Sequence, residues 1–414
     1  MLSWSQSQHT QASTGPSAPS SLSASLEPEL LHLIAIHLEQ PTALRAQPRR
    51  DALNFALTCR AWYRPGIEAL YHSVVIWRGR GYELAQAITA TQDRAGLVRR
   101  LKVQVGAFSS DSADLDSVAV ETIFRSCPRL EKIELAAGIS QITAALLRAT
   151  SLPVLRSFSS LGWLKATPPG GIRSFFLLLQ RTPRLQEANL RVIIRPDTPV
   201  EFPELPQPRI QLRRLNLNVF GKRDAPSAPV AEQLDHVASA FDFTHLVSFT
   251  AHTTPEDPFV TRHLTSASSL IHLTLFIDHD SLHPFFTSLI SLLPSLPQLR
   301  TLKIDVNAFP VPGDLSAPSL TQLNAFFTAL PPFLEHLDVP LCFPSGLVDP
   351  VLSALLTSEC GLQRKLKRVR AYTARADDPS ISHEVLFEKV ALEGRWVETV
   401  LYTTARDGGR LEET

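Results

Sequence analysis

The chain has 414 residues, 44% of them hydrophobic and 19% charged, which is enough apolar material for a large core. Lys plus Arg number 40 and Asp plus Glu 40, so the formal net charge is zero and no global field is available to hold nucleic acid or an anionic membrane. The 4 cysteines form no C-x-x-C pair and no even, close-set framework, which suits a reducing compartment, cytoplasmic, nuclear or both.

Residues 1–24 are rich in Ser, Gln, Thr and Pro, carry no apolar run of signal-peptide type, and are expected to form a disordered tail. The first periodic stretch, Leu26-Glu-Pro28-Glu29-Leu30-Leu31, continues through Ile34 and Leu38 as an amphipathic helix. Pro28 fits its first turn, and Glu27 and Glu29 sit where the helix dipole favours acids. The apolar run from Leu30 to Leu38 is too short to cross a bilayer and is broken by His32 and His37. A link from Glu39 to Asp51 contains Pro41, Pro48 and Arg49-Arg50. A second helix follows over Leu53-Asn-Phe55-Ala-Leu57-Thr-Cys59-Arg60-Ala-Trp62-Tyr63-Arg64-Pro65, and then an extended exit, Leu70-Tyr71-His72-Ser73-Val74-Val75-Ile76.

Residues 25–78 resemble an F-box, a small all-helical module. The match is carried by L-x-P-E-L-L at Leu26, L-x-x-x-C-R-x-W in the second helix, and an L-Y-x-S-V-V-I exit of the kind common in fungal members. The resemblance implies docking on a Skp-type adaptor, and through it on a cullin scaffold, by Leu26, Pro28, Leu30, Leu53, Leu57 and Trp62. In the family the proline directly follows the first leucine, whereas Glu27 intervenes here. The link between the helices is also longer, a small cost because closure entropy grows slowly with loop length. A plain helical cap on a repeat array is the alternative reading of these residues.

Gly79-Arg-Gly81 reads as a hinge, and residues 79–414 then repeat one phrase: proline, one residue, leucine, two residues, an apolar residue, one residue, and Leu, Ile or Val. It stands at Pro128-Arg-Leu130-Glu-Lys-Ile133-Glu-Leu135, Pro297-Gln-Leu299-Arg-Thr-Leu302-Lys-Ile304 and Pro332-Phe-Leu334-Glu-His-Leu337-Asp-Val339. Looser copies begin at Val98, Leu155, Leu185, Leu212, Leu246, Leu270 and Leu366, giving a mean period of about 30 residues. Each copy alternates like a strand with one buried face. Helical spacing follows at Asp116 to Ser126, Gly171 to Gln180, Val230 to Ala240, Leu282 to Leu293, Leu320 to Leu330 and Val348 to Thr357. Proline at 128, 153, 183, 297 and 332 ends a helix and biases its neighbour toward extended backbone.

One strand plus one helix per turn is an α/β coil. Parallel crossovers are right-handed, so an irregular right-handed solenoid with its strands on the concave side is expected. The array resembles leucine-rich repeat proteins. Leu299, Leu302, Ile304, Asn307 and Phe309 fit the full family phrase, and Cys342 takes the asparagine place of its own copy, where the family satisfies backbone groups at the turn after the strand. Most other copies lack that residue, which makes the array a divergent one.

Catalytic signatures are absent: no G-x-S-x-G elbow, no phosphate loop and no H-E-x-x-H pair, and no cofactor is expected. Asp278-His279-Asp280-Ser-Leu-His283 could bind a divalent metal if helical, but reads more simply as a polar turn with Asp280 or Ser281 capping the next helix. The run Arg364-Lys365-Leu-Lys367-Arg368-Val-Arg370 could serve nuclear import or phosphate binding. Leu366 and Val369 keep the repeat's apolar phase, and Arg99-Arg100 and Arg213-Arg214 fall at equivalent places in other copies, so its cations read as the wet side of an edge strand. Together the two resemblances imply a non-enzymatic substrate receptor whose solenoid captures a protein substrate, with no nucleic acid or membrane partner. The candidate substrate-facing residues are Arg214, Asn216, Asn218, His272, Thr274, Lys303, Asp305, Glu335 and Asp338. A ligase-independent repeat scaffold with a helical cap is the alternative.

Overall fold

The computed structural model describes residues 27, 29–31, 33–34, 48–77, 80–104, 110–135, 152–165, 178–179, 181–193, 209–220, 235, 237–253, 259–277, 282–306, 320–344, 365–374, 382–389 and 396–402. The chain divides between Ser73 and Val74 into two compact units.

In the first unit, Glu29–Leu31 and Leu33–Ile34 are helical, and the Leu31 N–H donates to the Glu27 carbonyl at 3.1 Å. Helix α1 spans Pro48–Thr58, with Pro48 at its start, where the missing N–H costs nothing, and Asp51 in the first turn. Cys59 is fully extended and breaks the chain direction, and its carbonyl accepts the first N–H groups of helix α2, Arg60–His72, from Trp62 and Tyr63. Pro65 lies inside α2 and removes one backbone bond. Leu31, Ala52, Phe55 and Ala69 form the unit's core, with Trp62 packed against it.

The second unit is built on a 13-stranded sheet. Its first strand, β1 (Ser73–Trp77), is the stretch that the sequence offers as the helical module's exit. The next strands are β2 (Arg100–Gln104), β3 (Lys132–Leu135), β4 (Ser157–Lys165) and β5 (Glu187–Ile193). They are followed by β6 (Ile210–Gln211), β7 (Arg214–Phe220), β8 (Phe241–Asp242) and β9 (Ser248–Thr253). Then come β10 (His272–Ile277), β11 (Thr301–Val306), β12 (His336–Pro344), β13 (Arg368–Ala374), β14 (Ser382–Lys389) and β15 (Trp396–Tyr402). Strands lie in chain order, save that β6 and β8 form a separate two-stranded pair. Every pairing from β2 to β13 is parallel.

A repeated main-chain device sets the register. From Arg99 to Glu335, the residue before each parallel strand presents a carbonyl to two successive N–H groups of the next rung: Arg99 to Glu131 and Lys132, Glu131 to Arg156 and Ser157, and so on through Arg156, Gln186, Arg213, Val247, Ile271, Arg300 and Glu335, at 2.7–3.1 Å, with Lys367 closing the series as a donor to Glu335. The residue preceding each of these is the predicted start of a repeat copy. All ten, from Val98 and Leu130 to Leu334 and Leu366, are buried. Two residues after the carbonyl, a second apolar column runs across the sheet in register: Leu101, Ile133, Phe158, Ala188, Leu215, Phe249, Leu273, Leu302, Leu337 and Val369. All of these are buried too. A strand with one apolar face has one permitted register, because a one-residue slip would expose the whole column.

Helices stand in the described parts of the connections. They are α3 (Gly81–Thr89), α4 (Gln92–Leu97), α5 (Ser110–Ser126), α6 (Phe259–Leu264), α7 (Leu282–Leu292) and α8 (Leu320–Ala329). In α5, Ala119, Val120, Ile123 and Phe124 bury one stripe, at the spacing of a helix with one face to the core. α3 packs on α4 and α5, and α7 packs on α6 and α8. The expected helices at 116–126, 282–293 and 320–330 are present. Those at 171–180 and 230–240 are described only as helical fragments at Leu178–Leu179 and around Val237–Ser239, and 348–357 lies outside the described residues.

Two features depart from one strand plus one helix per repeat. β14 pairs antiparallel with β13, and β15 antiparallel with β14, so the sheet ends in a meander. The register slips between Ser159 and Trp163 in β4, and between Asp338 and Cys342 in β12. That second slip keeps Cys342 within a strand, opposite Tyr372, rather than at the turn that the repeat phrase assigns to it. Asn307 and Phe309 lie outside the described residues.

Candidate functional site

Two surfaces carry the residues that the sequence singles out, one in each unit. In the helical unit Leu26 and Pro28 lie outside the described residues. Leu30 is 46% exposed and Leu53 43%, while Leu57, one turn beyond Leu53 on α1, is 70% exposed. Leu33, Ile34 and Tyr63 are exposed as well, so the small unit leaves an apolar surface uncovered on more than one helix.

Trp62 points the other way. Its ring stacks on Phe55, with centroids 4.7 Å apart and planes 22° from parallel, and it packs on the core of the unit. Its Nε1–H is buried with no acceptor among the described residues. Trp62 therefore holds α2 against α1, a structural duty that sequence spacing cannot tell from a docking one.

On the sheet, alternation puts the polar residues of the parallel strands on the face opposite the apolar column. Three columns hold the candidates. The column at the strand starts runs Arg100, Lys132, Ser157, Glu187, Arg214, Ser248, His272, Thr301, His336, Arg368. Two residues on, Lys102, Glu134, Ser159, Asn189, Asn216, Thr250, Thr274, Lys303 and Asp338 align in the same way. Further along, Asn218, His252, Phe276 and Asp305 are in register. Arg214 and His272 thus share the first column, Asn216, Thr274, Lys303 and Asp338 the second, and Asn218 and Asp305 the third. Glu335 sits just before β12 among the carbonyl-presenting residues.

Local electrostatics differ along these columns. Lys367 donates to Glu335 Oε2 at 2.6 Å, and this bond, with the charges of Lys367 and Arg300, holds the Glu335 carboxyl below its usual range. Arg214 pairs with Glu187 at 3.1 Å, and Arg99 with Glu131 at 3.3 Å. His272 is held below the ordinary histidine range, first by burial and then by Arg214, Arg300 and His336. The Oδ1 atoms of the neighbouring Asn189 and Asn216 are buried without a donor.

The structure adds Arg156, which the sequence reading passed over, and sets it beside Arg213, which the sequence marks only as a cation on the wet side of its copy. Arg156 and Arg213 are exposed, occupy equivalent places beside the strand-start column, and have no ion-pair partner among the described residues. Their only sequence signal is position, directly after the leucine that opens each copy. On the helix side of the sheet, Asp235 joins two side chains, accepting from Arg262 at 2.9 Å and meeting His263 Nε2 at 2.9 Å, while the His263 ring stacks on Phe243. Asp278, His279 and Asp280 lie outside the described residues. Among the described residues no helix is long and apolar enough to cross a membrane.

No protein-family model matches the chain, and no curated protein sequence matches it.

Proposed function

We propose that the protein is a substrate-recognition subunit of a Skp, cullin and F-box type ubiquitin ligase. In this reading the helical unit is an F-box that docks the adaptor. The sheet and its helices form a right-handed solenoid of leucine-rich-repeat type, and the polar columns capture a protein substrate. The chain performs no bond chemistry. It raises the effective concentration of substrate beside the ubiquitin carrier bound elsewhere in the complex.

The observation that supports this reading most directly is the exposure of Leu57 on α1, with Leu53 one turn before it, in the segment whose sequence resembles an F-box. A fully exposed leucine buried on docking contributes about 1.5–3 kcal/mol, so a helix that leaves several uncovered is suited to a partner. In the second unit, strands in chain order joined by parallel crossovers are what a solenoid requires, and such crossovers are right-handed in nearly all proteins.

The test is coexpression with the Skp adaptor and affinity capture, comparing wild type with a Leu53→Ala, Leu57→Ala variant. Both side chains are substantially exposed, so the variant should keep its fold by circular dichroism while capture falls at least about tenfold. Failure of the wild type to capture the adaptor would leave a ligase-independent repeat scaffold.

A further inference from the structure

We propose that the strand-start margin of the sheet's polar face is a docking track for an acidic, Asp- and Glu-rich segment of a partner protein. This names the kind of substrate for the capture surface and rests on the reading of that face as the capture surface.

The whole chain has a formal net charge of zero. Yet the strand-start column and the residues directly before it together hold nine Lys and Arg against three Glu. The next column does not share this bias among its described side chains, since Lys102 and Lys303 are matched by Glu134 and Asp338. The excess is thus a band along one margin and not a property of the face.

The three acids offset only part of the band, since each is engaged by cations that belong to it, and Lys132 is engaged by Glu134 of the next column at 2.7 Å. Glu131 and Glu187 each meet one arginine, and Glu335 is shared by Lys367 at 2.6 Å and Arg300 at 3.6 Å. Arg156 and Arg213 stand on either side of Gln186 in the carbonyl series, exposed and unpaired among the described residues. Two rungs separate them, about 10 Å at the backbone for the usual strand spacing. An extended peptide presents same-side residues about every 7 Å, a difference that two arginine side chains absorb. Further along the band His272 lies in the field of Arg214, Arg300 and His336.

A nucleic acid fits less well. The two series contain no Phe, Tyr or Trp on which a base could stack, and an unbroken phosphate backbone would face Glu131, Glu187 and Glu335 in turn. A peptide can place a neutral residue at each of those points.

The test uses the full chain and fluorescence anisotropy at low salt. The probes are a labelled peptide of alternating Gly-Ser and Glu-Asp pairs, the same peptide with Gln and Asn in place of the acids, and a labelled oligouridine. The acidic peptide should bind at least about tenfold tighter than the neutral one, and more weakly as salt rises. An Arg156→Glu, Arg213→Glu variant should lose at least about tenfold in that affinity, whereas Arg129→Glu, Arg184→Glu, on exposed turns outside the band, should lose little. Arg156→Gln, Arg213→Gln replaces the reversal if circular dichroism shows it misfolded. Equal affinity for the neutral peptide, equal loss in the control, or oligouridine that binds tighter and displaces the peptide would each overturn the track. Adaptor capture by the same proteins separates the two proposals. Capture without acidic-peptide preference sinks the track alone, and the preference without capture sinks the ligase reading and keeps the track.

Discussion

Gly66 lies so close to Ala56 that a Cβ built on it would stand 2.6 Å from the Ala56 Cα and Cβ. Helices α1 and α2 are therefore in backbone contact, and the contact is backbone on one side, which cannot rotate away. Gly66→Ala forces the helices apart and should cost about 1–3 kcal/mol as overpacking. Gly96 offers the matched control: it lies in helix α4 with nothing within 4 Å of its missing Cβ, so Gly96→Ala should be neutral or stabilising by about 0.4–1 kcal/mol. Chemical denaturation of both variants would decide; a Gly66→Ala protein as stable as wild type would contradict the packing.

Leu302 sits between Leu273 and Leu337 in the buried column of the sheet. Leu302→Ala should cost about 2–5 kcal/mol, the range for deleting a buried leucine from a close-packed core. Stacked units share their core only with neighbours, so the damage should be local. Hydrogen exchange should lose protection in β10, β11 and β12 before β2 and β3. Uniform loss across all strands would mean that the sheet opens as one cooperative unit.

How much of this could be read in advance differs by feature. The ten buried residues from Val98 to Leu366 were legible because a one-faced strand forces alternation, and each copy repeats the same apolar pair. The direction of pairing was not. Ser382–Lys389 and Trp396–Tyr402 form antiparallel strands, and alternation is the same whichever way a strand runs. The slips in β4 and β12 are equally silent, because an inserted residue or two looks like another degenerate copy. In the helical unit, Leu57 and Trp62 occupy similar places in the motif, yet one is exposed and the other stacks on Phe55. Only the packing of α1 on α2 distinguishes them. Arg156 was hidden because exposed positions obey no apolar period, and Arg213 was legible only as one more cation on the wet side of its copy. That neither has an ion-pair partner among the described residues is a spatial fact.

Cys127 ends α5 fully buried, and burial pushes its thiol from 9.0 up to about 12. The thiolate is the reactive form, so at mild alkaline pH Cys127 should resist iodoacetamide in the native protein and react once denaturant unfolds it. Cys59, half-buried between the two helices of the first unit, should label first. Peptide mapping of the alkylated protein separates the two sites, and native labelling of Cys127 at the rate of Cys59 would contradict its burial.

His272 gives the pH dependence its sign. Its ordinary value is 6.5, and burial followed by the charges of Arg214, Arg300 and His336 depresses it in the fold. Ser248 and Thr301 stand beside it in register, uncharged. Among the described side chains, the charged or titratable groups of the surrounding strands and their leading residues are Arg213 and Arg214 at β7, Arg300 and Lys303 at β11, and Glu335, His336 and Asp338 at β12. Between the depressed native value and 6.5 the unfolded chain binds more protons at this site than the native one. Stability therefore rises with pH across that window and falls as pH drops through it. His272→Gln removes the group and should flatten this part of the profile, measured as denaturation midpoints from about pH 5 to about pH 8. An acidic segment bound on the track would favour the charged imidazole, so its affinity should increase as pH falls through the same window, and the increase should be smaller in His272→Gln. A variant whose stability and peptide affinity follow pH as steeply as wild type would show that the imidazole titrates no differently in the fold than in the open chain.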